Sequence, residues 1–236
     1  MFPSFPITIG KSEHTISAGF CPFGVTRANH SPNSSAASAN LPSRSIAIQG
    51  HATELCREAA QEGYDVVVSF GGDGTVNEVA NGLIGCATPV TCLPGGATNV
   101  LCKMLGIPGD IVDATEHLLA MADHWNQRQI DLGTANGRAF TYTSGFGVDA
   151  SVVKRIEQSP RAKRHRLREY FFVYAAVETV LRHYIRHPPR MELHLDGHSE
   201  RVITTIVQNA EQMTYLDDKP IAIAEGAGLQ TGSLAG

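Results

Sequence analysis

The chain has 236 residues, 42% of them hydrophobic, which suffices for one good core or two modest ones. A formal net charge of -4 argues against a general nucleic-acid binder, because phosphate backbones are met by concentrated Lys and Arg. Five cysteines (Cys21, Cys56, Cys86, Cys92, Cys102) form no Cys-x-x-Cys pair, and their odd number argues against a full disulfide framework and for a reducing cytosol. No apolar run is long enough to span a bilayer, and the N-terminus lacks the basic-then-apolar order of a secretory signal. The expectation is a soluble protein, or one that sits on a membrane without crossing it.

Met1–Ser45 holds nine serines and five prolines, and Ser31–Ala39 is nearly low-complexity. No sustained period emerges there, so residues 1–45 read as a divergent or disordered N-terminal segment. From Ile46 the pattern is regular. Ala52, Leu55, Cys56 and Ala59 mark an amphipathic helix, followed by a strand from Val66 and a helix carrying Val76, Val79, Ala80, Leu83 and Ile84 on one face. A strand at Val90–Leu93, a helix at Val100–Leu105 and another from about Asp110 to Ala122 come next. Strands alternating with helices at these spacings mean parallel βα units, so residues 46–129 read as one α/β domain ending in Trp125–Gln129. The rhythm then changes. Ile130–Ala135 and Arg138–Thr143 flank Asn136-Gly137, a strong hairpin signal, and Met191–Leu195 and Val202–Val207 flank Asp196-Gly197 in the same way. Leu167–Ile185 reads as a long helix, and Ile221–Ala224 as a further strand. Residues 130–236 are therefore expected to be mainly antiparallel β.

Val66-Val67-Val68-Ser69-Phe70-Gly71-Gly72-Asp73-Gly74-Thr75 is the most informative stretch. An apolar run empties into three glycines around a carboxylate, and a helix pattern starts at once. Thr75 and Glu78 have capping-box spacing, which predicts the helix start at Thr75. Bare glycines let a phosphate approach the backbone, and the N–H groups of a helix start favour an anion. Asp73 cannot attract phosphate itself, so it implies a bridging divalent cation or a role in proton transfer. A Rossmann fingerprint fails because Asn77 occupies the third glycine position, and a P-loop fails for want of Gly-Lys-Ser/Thr. No Gly-x-Ser-x-Gly anchors a serine hydrolase.

Gly71-Gly72-Asp73-Gly74-Thr75-Val76-Asn77-Glu78-Val79-Ala80-Asn81-Gly82-Leu83 resembles the signature of the diacylglycerol kinase catalytic-domain family, which includes bacterial lipid kinases, sphingosine kinases and ceramide kinases. Leu93-Pro94-Gly95-Gly96-Ala97-Thr98-Asn99 resembles that family's Pro-x-Gly-Thr-x-Asn loop. Ile130-Asp131-Leu132-Gly133 and Gly145-Phe146-Gly147-Val148-Asp149-Ala150 resemble the start of its second domain. The resemblance runs from about Gly50 to Leu234, and the glycine-Asp turn is shared more distantly with NAD kinases and phosphofructokinases. It implies an α/β nucleotide-binding domain with a parallel sheet, followed by a β-sandwich domain.

The resemblance puts Gly71, Gly72, Asp73, Gly74 and Thr75 around the phosphates of ATP, with Asp73 as the Mg²⁺-linked or proton-accepting catalytic carboxylate. Glu78 is an assisting carboxylate or simply a helix cap. Gly95, Gly96, Thr98 and Asn99 would close the other side of the cleft, although the family's Thr falls at Ala97 and its following Asp at Val100. The family also binds a structural Mg²⁺ at an Asp-Asp-Gly turn. The matching stretch, Ala227–Leu234, carries Gln230 and Thr231 in place of the carboxylates, so that site is expected to be lost. The chain ends at Gly236, before the family's Asp-Gly-Glu segment with the proposed general base, so incomplete catalytic machinery is expected.

Arg161-Ala162-Lys163-Arg164-His165-Arg166-Leu167-Arg168, followed by Tyr170–Tyr174, reads either as an anionic-membrane contact or as a solvated loop before a core helix. His183 and His187 read as surface histidines, without the third ligand a metal needs. The expected activity is transfer of phosphate from ATP with Mg²⁺ to the hydroxyl of a membrane lipid such as diacylglycerol. The expected location is cytoplasmic, peripheral on the inner membrane face. The alternatives are a catalytically incomplete nucleotide- or lipid-binding module, and an NAD kinase-like enzyme.

Overall fold

The computed structural model describes residues 9–19 by their backbone, and residues 43–120, 127–157, 174, 177–178, 180–181, 185, 191–195, 198–216 and 219–236. The near low-complexity stretch Ser31–Ala39, the basic run 161–168, most of the expected helix 167–185, His183, His187 and the Asp196-Gly197 turn lie outside the described residues. The chain divides into two compact units, residues 1–142 with 208–235, and residues 143–207 with 236.

The first unit is built on a five-stranded mixed sheet. Its strands are β1 (Ile9–Gly19), β2 (Val67–Gly71), β3 (Val90–Pro94), β4 (Gln127–Ala135) and β5 (Arg138–Phe140), in the order β2-β3-β1-β4-β5. β2 and β1 run parallel to β3, whereas β4 is antiparallel to β1 and to β5. The α/β character of residues 46–120 is as expected, with α1 (His51–Gln61), α2 (Asp73–Leu83), α3 (Val100–Met104) and α4 (Ile111–Ala120) following the predicted order. The apolar faces that betrayed these elements form the core: Ala52, Cys56 and Ala59 from α1, Val76, Val79, Ala80 and Leu83 from α2, and Val90, Cys92 and Leu93 from β3. α1 and α2 cross closely at Gly82, where a Cβ would lie 2.5 Å from the Thr53 carbonyl oxygen.

The structure departs from the sequence expectations at the first unit's edges. β1 lies inside the segment expected to be divergent or disordered; it gains its order from backbone pairing with β3 and β4 on its two sides, a non-local source that composition does not reveal. The unit also runs past the expected boundary at 129. Gln127–Gln129, read as the end of the domain, open β4 and pair with β1 at Ser17–Gly19. Asn136 and Gly137 turn the β4–β5 hairpin with φ of 51° and 79°, the left-handed pair that Asn-Gly predicts. The chain returns after residue 207 and is pinned by two fully buried amides. Asn209 donates to the carbonyls of Asp131 and Thr141, both at 2.8 Å, and Gln208 Oε1 accepts from the N–H groups of Ile223 and Ala224. β10 (Thr214–Leu216) and β11 (Lys219–Ile221) form a hairpin here, so the strand expected at Ile221–Ala224 instead ends at Ile221.

In the second unit, β6 (Thr143–Gly147) pairs with β9 (Thr204–Gln208), and α5 (Val148–Glu157) follows β6 directly. β7 (Met191–Leu195) and β8 (His198–Val202) form the second expected hairpin, with Leu195 opposite His198. Two strands were expected to be longer. Arg138–Thr143 is interrupted after Phe140, and Val202–Val207 is split because His198–Val202 pairs with β7 while Thr204–Gln208 pairs with β6. α5 was not foreseen. Among the described residues this unit holds two separate two-stranded ladders, β6 with β9 and β7 with β8.

Candidate functional site

β2 and β3 end side by side, with Phe70 opposite Leu93 and Gly71 opposite Pro94. Each then runs into a glycine pair, and the two pairs touch. The Gly95 N–H donates to the Gly71 carbonyl at 3.1 Å. A Cβ on Gly95 would lie 2.9 Å from Gly71 Cα, and one on Gly96 would lie 2.5 Å from Gly72 Cα. Gly95 and Gly96 are therefore required here by backbone-to-backbone approach, a reason separate from ligand access, and a Cβ on Gly72 would be tight against Gly96 Cα at 3.1 Å. Gly74 alone of the first loop faces open space, with nothing within 4 Å of where its Cβ would stand.

The helix after this loop starts earlier than the capping-box spacing predicts. Gly72 is the N-cap and Asp73 the first helical residue, and the Gly72 carbonyl accepts the first helical bond from Val76 N–H at 3.1 Å. Thr75 is thus already inside α2 and does not cap it. Its side chain packs over Gly71 instead, with Oγ1 2.6 Å from where a Gly71 Cβ would be. With no side-chain cap, the first-turn N–H groups of α2 have no intrahelical acceptor and suit an anion.

Asp73 reaches across to the second loop. Its Oδ1 accepts from the N–H of Val100, the first residue of α3, at 2.6 Å. Asn99, the N-cap of α3 in the left-handed conformation with φ 51°, folds back on Gly96: its Oδ1 accepts from Gly96 N–H at 2.8 Å and its Nδ2 donates to the Gly96 carbonyl at 3.0 Å. Thr98 is half-buried in the same loop. The structure thus brings Gly71–Thr75 together with Gly95, Gly96 and Asn99 into one double loop bracketed by Asp73. Glu78 is not part of it. It lines a cavity of about 500 Å³ with Thr53, Glu54, Arg57, Asn81 and Arg138, and no glycine-loop residue lines that cavity.

Behind the loops, Cys102 donates its thiol hydrogen to Cys92 Sγ at 3.1 Å, and both cysteines are free and buried. That bond, then burial, then the charges of Cys102 and, last, Asp73 hold the Cys92 thiol well above its usual range. Burial first, and Asp73 second, push the Tyr142 phenol up as well. In the second unit, burial raises the carboxyl of half-buried Asp149, whose Oδ2 occupies the place a Gly145 Cβ would take.

Two residues of the signature have roles that the sequence did not disclose. Asn77 Oδ1 accepts from Thr141 N–H at 3.1 Å, while Asn81 accepts from Ala139 N–H at 3.0 Å and donates to its carbonyl at 2.9 Å. Both stitch α2 to the β5 region. An Asn four residues after another on a helix is the available signal, but the partner strand is too distant in sequence to be read from it.

The turn matching the structural Mg²⁺ site does not fit a dication. Gln230 Nε2 donates to the Gln129 carbonyl at 2.8 Å, and Thr231 Oγ1 donates to the Gly228 carbonyl at 3.0 Å. Asp131 Oδ2 accepts from Gly232 N–H at 3.0 Å. Neutral hydrogen bonds occupy the places that metal-binding carboxylates would need. Among the described residues no group of three or more His, Cys, Asp or Glu is placed to hold a metal. Asp73 fits a different kind of site, in which Mg²⁺ is held by one or two carboxylates together with substrate phosphates.

Residues 31–135 match the family model for the diacylglycerol kinase catalytic domain. This segment belongs to the diacylglycerol kinase catalytic-domain family. The chain is 39% identical over 101 residues to the diacylglycerol kinase of Bacillus subtilis (strain 168), covering 42% of this chain and 32% of that protein. It is 37% identical over 114 residues to a protein of Streptococcus pneumoniae serotype 4 provisionally named a lipid kinase, covering 48% of this chain and 37% of that one. A crystal structure from Bacillus anthracis str. Sterne, provisionally named a diacylglycerol kinase, superimposes with a TM-score of 0.57 at 27% identity over 80% of this chain and 60% of that one. The match spans about a third of the length of these curated relatives. Both glycine loops, Asp73, Asn77, Asn81 and β4 fall inside the matched family segment. No helix of the described residues is long and apolar enough to cross a membrane.

Proposed function

We propose that this chain carries the nucleotide side of an ATP-dependent lipid kinase, which transfers the γ-phosphoryl group to the hydroxyl of a membrane lipid, diacylglycerol first. The double glycine loop bracketed by Asp73, inside a diacylglycerol kinase catalytic-domain segment, carries this reading. The first-turn N–H groups of α2 donate to phosphate oxygens, and Gly74 leaves the backbone bare where they approach. Asp73 is the residue that would hold Mg²⁺, which when bound neutralises charge developing on the transferred group. Its bond to Val100 fixes the carboxylate before any ligand arrives, so orientation costs nothing at the moment of reaction. The acceptor hydroxyl lies at an anionic membrane surface on the cytoplasmic side, met by the basic run 161–168.

The test is transfer of label from γ-labelled ATP to diacylglycerol in mixed micelles with Mg²⁺, with Asp73→Ala as the blank. Label in the extracted lipid supports the kinase reading. ATP binding without lipid labelling supports a nucleotide-binding module instead, and labelled NADP formed from NAD would support an NAD kinase-like enzyme.

A further inference from the structure

Along β2 the side chains alternate: Val67 and Ser69 are buried, Val68 is half-buried, and Phe70 is 64% exposed at the last position before the glycine loop. An exposed apolar side chain is ordinary in itself. The surroundings of this one are not. Gly95, one strand over, carries no side chain, and the place its Cβ would occupy lies 3.2 Å from Phe70 Cε2. Gly71 Cα lies 2.9 Å from the same place. The ring is thus braced against the bare backbone of the second loop, and most of its surface is open to solvent. A Cβ at 95 would press on the ring, which would have to give by a few tenths of an ångström.

We infer that Phe70 is the platform on which the nucleobase stacks, which makes the site selective for a nucleotide over a bare polyphosphate. The inference rests on the nucleotide reading above and adds the residue that recognises the base. The distances suit it. Two residues of extended strand, from Phe70 to Gly72, cover roughly 7 Å, comparable to the span between a nucleobase and its first phosphate. Phosphates at the α2 start would therefore leave the base within reach of the ring. An aromatic face accepts any flat base, so Phe70 contributes affinity for the base as a class and little discrimination between adenine and guanine. The phosphates bind through backbone donors that do not depend on the ring. Base and phosphate recognition are consequently separable by mutation.

The experiment is calorimetric titration of the whole chain with ATP and with inorganic tripolyphosphate, each with Mg²⁺, for wild type, Phe70→Ala and Phe70→Tyr. Phe70→Ala is expected to weaken ATP binding roughly 5- to 100-fold while leaving tripolyphosphate unchanged, and Phe70→Tyr to restore ATP binding. Because Phe70 is largely exposed, the melting temperature should move little and loss of fold should not intrude. Phe70→Trp adds an optical readout beside the chain's single native tryptophan, Trp125: ATP should quench the new emission and tripolyphosphate should not. Equal ATP affinity in wild type and Phe70→Ala overturns the platform, as does parallel loss of ATP and tripolyphosphate, which would make the ring a support for the loop. Wild-type chain that binds neither ligand overturns the nucleotide reading itself, and the platform with it.

Discussion

Replacing Asp73 by Ala and by Asn separates two roles of one carboxylate. Oδ1 accepts the Val100 N–H at 2.6 Å, and Val100 is buried at the start of α3. A hydrogen bond to a charged group contributes about 1.5–3 kcal/mol, and Asp73→Ala removes it while leaving a buried donor without this acceptor. At about 2–4 °C per kcal/mol for a chain of this size, the melting temperature should fall by roughly 3–12 °C. Asp73→Asn keeps an oxygen in place but makes the bond neutral, and neutral bonds are about half as strong. It also removes a charge from the first turn of α2, worth about 0.3–1 kcal/mol. Asp73→Ala loses that charge too, so the cost of Asn should be smaller than that of Ala by the half of the bond it keeps, about 0.7–1.5 kcal/mol. Mg²⁺-dependent ATP binding, in contrast, needs the charge and should be lost about equally in both variants. Calorimetric melting and ATP titration with and without Mg²⁺ on the three proteins give the comparison. If Asp73→Ala melted with the wild type, the loop bracket would carry no stability and the argument would fail. Mg²⁺-dependent binding retained in Asp73→Asn would remove the carboxylate from the metal's coordination.

Gly96→Ala places a methyl 2.5 Å from Gly72 Cα and should destabilise by about 1–3 kcal/mol or more, seen as a lowered urea midpoint. Gly74→Ala meets no atom in the protein, should stabilise α2 by up to about 1 kcal/mol, and should nevertheless weaken ATP because the methyl enters the phosphates' space. The nucleotide-free chain should melt at the same temperature in EDTA and in Mg²⁺, since Gln230 and Thr231 close their turn with neutral bonds; a lower melting point in EDTA would contradict that account. Burial pushes the Cys56 thiol from 9.0 up to about 12. The folded pKa lies above the unfolded one, so this contribution is fully present below pH 9 and is lost as pH rises towards 12. Cys56→Ala should flatten that part of the alkaline unfolding curve.

What the sequence disclosed was local. The spacing of Val76, Val79, Ala80 and Leu83 located α2 because helical burial repeats within one turn, and Asn136-Gly137 located a hairpin because few other residues tolerate its backbone angles. The start of α2 was misplaced by two residues because Gly72 serves as N-cap without a side chain, so the Thr75–Glu78 spacing was the only cap signal in view. The glycines were legible as a loop, but their contact with a second glycine pair depends on β2 and β3 ending in register. Asn77, Asn81, Gln208 and Asn209 were opaque for a shared reason. Each bonds backbone groups brought close only by tertiary folding, and an amide side chain carries no mark of its partner.

The α/β unit is written in two pieces, residues 1–142 and 208–235, with residues 143–207 between them. A ribosome adding 5–20 residues per second needs roughly 3–13 s to pass through that interval. Throughout it, the carbonyls of Thr141 and Tyr142 wait for the N–H donors of Asn209 and Ala210 that will bury them. The glycine loops at 71–74 and 95–96 have by then long emerged. The glycine loops are therefore synthesised early and the sheet behind β4 and β5 is closed late, with water, or a chaperone, holding the place of Asn209 for seconds.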